Sequence, residues 1–461
     1  MYLFKYNHNL YCTVFAFTVF FATNASFAES TGSAASNDFA VKLEFLLSNH
    51  PEILRLLEEK KEKASEANHR DTYPDPKIGF AYRSYPYRGG FALDRAKTDT
   101  PSMTGNEISL SQEIPYPGKL GTEKEIGKWE SVETNFRAEW LQNRFLKNYF
   151  ESKFKITALE REIKDLNLLG NLYRSLTSVR SSGFVSGKSG ILPSLEASNR
   201  YNEIKDRLRE RTIVLKEAET LVNYFESDFI SENISPITTT SVEDHLSKKE
   251  NQLKEGFESL SIEPSPELHL LQANVYKAEA IEKKNSILHF PDTEVFFSYM
   301  QRRKKPFMAD TGPLNYMISD NTEFSGDLWS FGVTMRIPAW SGLDQPHLEQ
   351  TSKHLKKKLR FEKETRRREL VSELKSAWEA WKGNKDRLDE YETKLLPSLK
   401  KTWVNSGASL SGEGSLGETI AFQIELKEAE IKKNEIYFNR WKSLIRILEI
   451  TNHLLNDKEN I

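Results

Sequence analysis

Tyr73-Pro74-Asp75 leads into Ile78-Gly79-Phe80-Ala81-Tyr82, and Phe290-Pro291-Asp292 leads into Val295-Phe296-Phe297-Ser298-Tyr299. The second stretch repeats the first at an offset of 217 residues. Other landmarks recur around this pair in the same order. Pro51-Glu52-Ile53 returns as Pro266-Glu267-Leu268, at an offset of 215. Ile114-Pro115 before Gly118-Lys119-Leu120 returns as Ile337-Pro338 before Ser341-Gly342-Leu343, at 223. Ser182-Gly183 with Ser186-Gly187 returns as Ser406-Gly407 with Ser411-Gly412, at 224 to 225. An ordered set with slowly drifting offsets marks a tandem duplication. Each half is predicted to run helix, strand, loop, strand, long helix, turn, helix. The halves are residues 29–228 and 264–461, with an equatorial linker at 229–263.

The strands are read from period-2 alternation. In Phe331-Gly332-Val333-Thr334-Met335-Arg336-Ile337 the odd positions are apolar and the even ones polar or small. Ile78, Phe80 and Tyr82 alternate with Lys77, Gly79 and Ala81. Ile108, Leu110 and Ile114 alternate with Glu107, Ser109, Ser111 and Glu113, and Gln112 interrupts the pattern. The strand through Val295, Phe297 and Tyr299 alternates least clearly. Each strand is expected to cover about 9–11 residues, enough to cross a bilayer when tilted. The charged alternates Glu107, Glu113 and Arg336 suit a wet lumen, and Tyr85, Tyr87, Phe290 and Trp329 gather near strand ends as at membrane interfaces. The alternative is a soluble hairpin in each half, packed on a core.

The remainder reads as helix, so the fold class is mainly α with a small β part. Lys119 to about Ser182 and Leu343 to about Ser406 are long, polar and poor in glycine. Some 60 residues at 1.5 Å each make a rod of roughly 90–100 Å. Leu374, Trp381, Leu388 and Leu395 recur every seven residues, with Val371 and Trp378 between them, which predicts a coiled-coil seam. Pro397 should kink or break that rod. Shorter helices are expected at Phe39–Ala67, Leu192–Tyr224, Pro266–Leu288 and Glu413–Leu455, stacked end to end beside the rods. Glu226–Pro264, rich in Thr, Ser and Glu, is expected to form an irregular outer belt.

Residues 1–28 carry one charge, Lys5, then an apolar run from Leu10 to Phe21 and Ser26-Phe27-Ala28. That pattern predicts a secretory signal cleaved after Ala28. The one cysteine, Cys12, falls inside it, so no disulfide or thiol chemistry is expected. A net charge of −2 lacks the basic footprint of a nucleic-acid binder. The histidines lie scattered without metal-site spacing, and Gly183-Phe-Val-Ser-Gly-Lys-Ser-Gly lacks the spacing of a phosphate loop. No catalytic residue, metal or cofactor is expected. Arg302-Arg303-Lys304-Lys305 reads as an exposed loop.

Four strands cannot close a barrel, and an open edge in hydrocarbon leaves backbone groups unpaired. If the strands enter a membrane, several chains must share one barrel. The duplicated order of Pro-Glu helix, Pro-Asp strand, Ile-Pro corner, long rod and Ser-Gly turn resembles the TolC-like outer-membrane efflux proteins. Ser111-Gln112-Glu113-Ile114-Pro115-Tyr116-Pro117-Gly118-Lys119 is most similar to their heavy-metal-resistance branch. The resemblance implies a homotrimer in the Gram-negative outer membrane, with a twelve-stranded barrel and a periplasmic helical tunnel. It implies docking onto a periplasmic adaptor protein and an inner-membrane transporter. Ile78, Phe80, Tyr82, Ile108, Leu110, Phe297, Tyr299, Val333 and Met335 would then meet lipid. Gly183, Ser186, Gly187, Gly407, Ser411 and Gly412 would form the docking tip. The turns at Gly183–Gly190 and Gly407–Gly417 are longer than the family's and lack its Asp, and the family's lipid-bearing N-terminal Cys is absent. A non-conducting coiled-coil scaffold or adhesin of the cell envelope is the competing reading.

Overall fold

The computed structural model describes residues 33–83, 105–187, 190–232, 234–252, 260–302, 326–337, 339–408 and 416–454. The expected signal at 1–28, the aromatics Tyr85 and Tyr87, the basic run Arg303-Lys304-Lys305, and Ser411 and Gly412 lie outside them.

Helices α1 (Ser33–Asn49) and α2 (Pro51–His69) occupy the stretch expected as one helix. Pro51 disfavours a helical His50, which is extended at φ −63°, ψ 127°, and its ring nitrogen accepts from the Glu52 N–H at 3.3 Å as a cap. Strands β1 (Lys77–Arg83) and β2 (Gly105–Ile114) follow, then the rod α3 (Lys119–Val185) and its return α4 (Leu192–Phe225). Within the linker lie α5 (Ser227–Ser231) and α6 (Thr239–Gln252), so the expected irregular belt is partly helical. The threonines there are a cap: Thr238 Oγ1 accepts from the Ser241 N–H at 3.3 Å, and Val242 and Leu246 then bury one face. The order resumes with α7 (Pro266–Ile287), β3 (Asp292–Arg302), β4 (Leu328–Arg336), α8 (Ala339–Glu390), α9 (Leu396–Ala408) and α10 (Leu416–Ile450).

At 67 residues, α3 is a rod of about 100 Å. It runs between α2 and α4 on one side and α7 and α10 on the other, and α8 lies beyond α7 and α10. The wall therefore has four helical columns, two of them stacks of shorter helices. Salt bridges lace α3 to its neighbours: Glu130 to Arg70 just past the end of α2, Glu125 to Lys283 of α7, and Glu162 to Arg207 of α4. Where α2 crosses α3, Gly127 lies against the Ala67 backbone, and a Cβ there would sit 3.0 Å from Ala67 Cα. Gly127→Leu is expected to cost about 1–3 kcal/mol through overpacking, seen as a lowered denaturation midpoint.

The second rod keeps the seven-residue interval over Leu374, Trp381 and Leu388 but not every position expected on it. Leu374, Trp381 and Leu388 are buried, whereas Val371 and Leu395 are exposed. The buried face is Leu370, Leu374, Ala377, Trp381 and Leu388, whose spacing keeps the seven-residue seam with Leu370 and Ala377 at its alternate positions in place of Val371 and Trp378. Pro397 acts as expected. Directly before it, Tyr391–Leu395 form a π turn in which the Leu396 N–H reaches Tyr391 O. The main core lies at the level of the linker, where Phe154 stacks on Trp441 with centroids 5.0 Å apart, and Phe229, Ile237 and Leu246 close over the rods.

Candidate functional site

The four strands form one antiparallel sheet in the order β1-β2-β3-β4. Its register sorts the side chains into two faces. On one face lie the rungs Phe80–Ile108–Tyr299–Trp329 and Ile78–Leu110–Phe297–Phe331, then Gln112–Val295–Val333 and Ile114–Thr293–Met335. Every strand residue expected to meet lipid is on this face. Tyr82 is there too, one rung further out. Gln112, the interruption in β2, turns its amide back to the Pro74 carbonyl at 2.7 Å. The other face carries Gly79–Ser109–Ser298–Ser330, Lys77–Ser111–Phe296–Gly332, Glu113–Glu294–Thr334, and an Arg83–Glu107 ion pair.

Exposure runs opposite to that of a water-soluble sheet. Phe80 is 79% exposed and Phe331 73%, while Glu107 is 6% and Ser298 5%. The sheet is therefore curled around its polar face and presents its apolar one outward. Patches of contiguous exposed apolar surface on this scale mark a membrane or partner surface. Within the chain, β1 and β4 each pair on one side only. The described length of β1 is 7 residues, shorter than expected, and that of β3 is 11.

A corner joins sheet to rods. Gly118 takes a left-handed φ of 102°, which lets the chain turn from β2 into α3. Lys119 Nζ then donates to Phe290 O at 2.8 Å and to Asp292 at 2.9 Å. The Tyr116 N–H donates to the same Asp292 carboxylate at 2.8 Å, and Tyr116 stacks on Phe290 at 4.4 Å. The Ile-Pro-Tyr-Pro-Gly-Lys motif of one half thus clamps the Pro-Asp motif of the other. Phe290 is at this corner, whereas Trp329 stands on the apolar face near the far end of the strands.

No family model and no curated protein matches the sequence. Solved structures match it along nearly its whole length. The outer membrane channel CmeC of Campylobacter jejuni superposes with a TM-score of 0.66 at 12% identity, covering 100% of this chain and 95% of that one. The fold is TolC-like. The open-state outer membrane channel MtrE of Neisseria gonorrhoeae gives 0.63 at 11% identity, with 93% and 91% covered. CusC, whose structures describe transmembrane channel formation, gives 0.63 at 13%, with 90% and 92% covered. The likeness to CmeC and to CusC is nearly equal, so it does not select a branch within the TolC-like fold.

In that fold the turn between α3 and α4 is the end farthest from the sheet. Gly183 was expected in this turn but lies in the last turn of α3. Its carbonyl accepts from Ser186 Oγ at 3.0 Å, and the left-handed conformation comes at Gly187, whose φ is 71°. Gly407 likewise lies in the last turn of α9, where helix propensity still tolerates glycine. The sequence reading missed the apolar character of this tip: Phe184, Val185, Ile191, Leu192 and Leu195 are all exposed. The signal was there, since residues 181–195 carry one charge, Lys188.

Halfway along the TolC-like wall an ion network ties four helices. Arg366 of α8 reaches Glu267 of α7 at 2.7 Å and Glu373 at 3.0 Å. Glu373 pairs with Arg446 of α10, which pairs with Glu449, and Glu449 meets Lys147 of α3 at 3.4 Å. Burial works to raise the Glu373 carboxyl, but Arg446 and Arg366 outweigh it and hold it below the usual carboxylate range. Among the described residues no helix is long and apolar enough to span a membrane, which says nothing of a barrel, and no cluster of three metal-ligating side chains occurs.

Proposed function

We propose that the chain is one protomer of a homotrimeric outer-membrane channel that passively conducts substrates through the Gram-negative cell envelope. The observation that carries this is the inverted sheet, with an apolar convex face outward, the polar residues Glu107 and Ser298 buried on the concave face of its two central strands, and two open edges. In hydrocarbon, open edges cost several kcal/mol per unpaired group, so β4 of one chain must meet β1 of the next. The helical wall is open on the same two sides, at α2 and α4 and at α8. A head-to-tail interface of this kind closes into a ring. Three chains supply twelve strands, and the rods extend the tube into the periplasm as tandem repeats 29–228 and 264–461 joined at 229–263.

The tube has no energy source of its own, so we read it as the exit part of a tripartite system. The tip at Gly183, Ser186, Gly187 and Gly407 would meet a periplasmic adaptor, which links it to an inner-membrane transporter. The structural neighbours are channels rather than enzymes, and nothing in this reading requires catalysis or a cofactor. A scaffold or adhesin would use the same rods but gains nothing from an outward apolar sheet face.

The purified protein in detergent is expected to have the mass of three chains and to give discrete conductance steps in a planar lipid bilayer. A detergent-independent monomer that never conducts would overturn the proposal.

A further inference from the structure

We propose that Phe296 and Gly332 together set the bore of the barrel, an inference that rests on the channel reading above. Among the described residues Phe296 is the one aromatic side chain on the polar, concave face. Its cross-strand partner is Gly332. The ring covers that glycine: a Cβ on residue 332 would clash with ring atoms Cζ and Cε1. The next rung outward, Gly79–Ser109–Ser298–Ser330, holds only small side chains. Lys77, the long side chain of the Phe296 rung, leans toward Glu113 at 3.9 Å on the rung nearer the helices. The rest of the wall is kept low across the two rungs, and it is low at Phe296 because residue 332 has no side chain.

Any side chain at 332 displaces the ring. The staggered alternatives for a strand residue point away from the sheet, which on this face means into the lumen. Twelve strands about 4.8 Å apart and tilted about 40° place the backbone about 12 Å from the axis. Three swung rings, one per chain, would take a large share of that opening. The glycine thus acts as a spacer for transport, and Phe296 is a positioning residue that fills the wall without narrowing it.

Thiol labelling tests this directly. The one native cysteine, Cys12, is within the first 28 residues, so an added cysteine at another position is a clean reporter. Thr334 is on the polar face one rung closer to the helices than Gly332, so a reagent entering from outside must pass the Phe296 rung to reach it. In intact cells, Thr334→Cys is expected to react with both a small and a bulky membrane-impermeant maleimide. Adding Gly332→Ala should slow the bulky reagent about tenfold and the small one less than about twofold. Adding Phe296→Ala to that pair should restore the rate, and Phe296→Ala without Gly332→Ala should leave it unchanged.

Unchanged bulky labelling in the Gly332→Ala background overturns the inference. If that variant fails to assemble, Phe296→Ala decides: faster bulky labelling would mean the ring already protrudes, and the inference fails. Failure of the channel reading looks different. There, Thr334→Cys stays unlabelled while Val333→Cys, on the apolar face, reacts.

Discussion

Phe331→Arg is expected to abolish recovery of the proposed trimer from outer membranes, while Ser330→Arg, one residue away, leaves it near the parent level. Both residues are exposed in the isolated chain. What separates them is the face. Phe331 belongs to the apolar rung with Ile78, Leu110 and Phe297, near the middle of β4. An arginine on the lipid face of a barrel costs about 2–4 kcal/mol at the bilayer midplane. Three copies bring this to roughly 6–12 kcal/mol, the size of the whole margin of a folded protein. Ser330 is on the small-residue rung of the other face, where in the proposed barrel a charge would stay in water. The comparison is read as the amount of trimer in detergent extracts of isolated outer membranes. Equal recovery of the two variants would mean that the apolar face does not meet lipid.

That contrast was readable from the alternation in 331–337 because a period of two fixes the face of each residue once one is known. The same logic placed Ile78, Phe80, Tyr82, Ile108 and Leu110 on one face. It weakened in β3 because Phe296, an apolar residue, faces the polar side. Only the register reveals that Gly332 makes room for it there. The rods were legible from length and composition, but the exact seam was not. Val371 and Leu370 are adjacent, and deciding between them needs the rotation of α8 against α7 and α10. The break at His50 had a local signal in Pro51. It was overridden by apolar periodicity that continues across it through Leu46, Ile53 and Leu56. Belt helix α6 was hidden because Thr and Ser read as loop when they are in fact a cap. At the tip, Gly183 and Gly407 marked the right ends of the rods without being the turn itself, since a glycine in the last helical turn and one just past it leave the same trace in sequence.

Glu226→Ala is expected to cost about 3–5 kcal/mol, the penalty for removing one partner of a buried charge pair. Glu226 is 5% exposed. It accepts from Tyr149 Oη at 2.6 Å and pairs with Lys153 Nζ at 2.8 Å. Burial, together with the adjacent Glu226 carboxylate, pushes the Tyr149 hydroxyl far above its usual range, so it remains a donor throughout working pH. The position explains the investment of three polar groups in an otherwise apolar core. Glu226 occupies the C-cap position of α4, its backbone N–H donating to Val222 O, where the chain leaves the rod for the linker. Without the carboxylate, Lys153 keeps a charge that is 12% exposed and has lost its partner. The loss is measured as a shift in the denaturation midpoint followed by far-ultraviolet circular dichroism in detergent. Adding Lys153→Met should recover most of it, because replacing both members of a buried pair by apolar groups is often nearly neutral. If the double variant is as weak as Glu226→Ala, the cost lies in the orphaned Tyr149 hydroxyl and lost packing at the corner rather than in the buried lysine. The rod and the linker would then be joined by shape more than by charge.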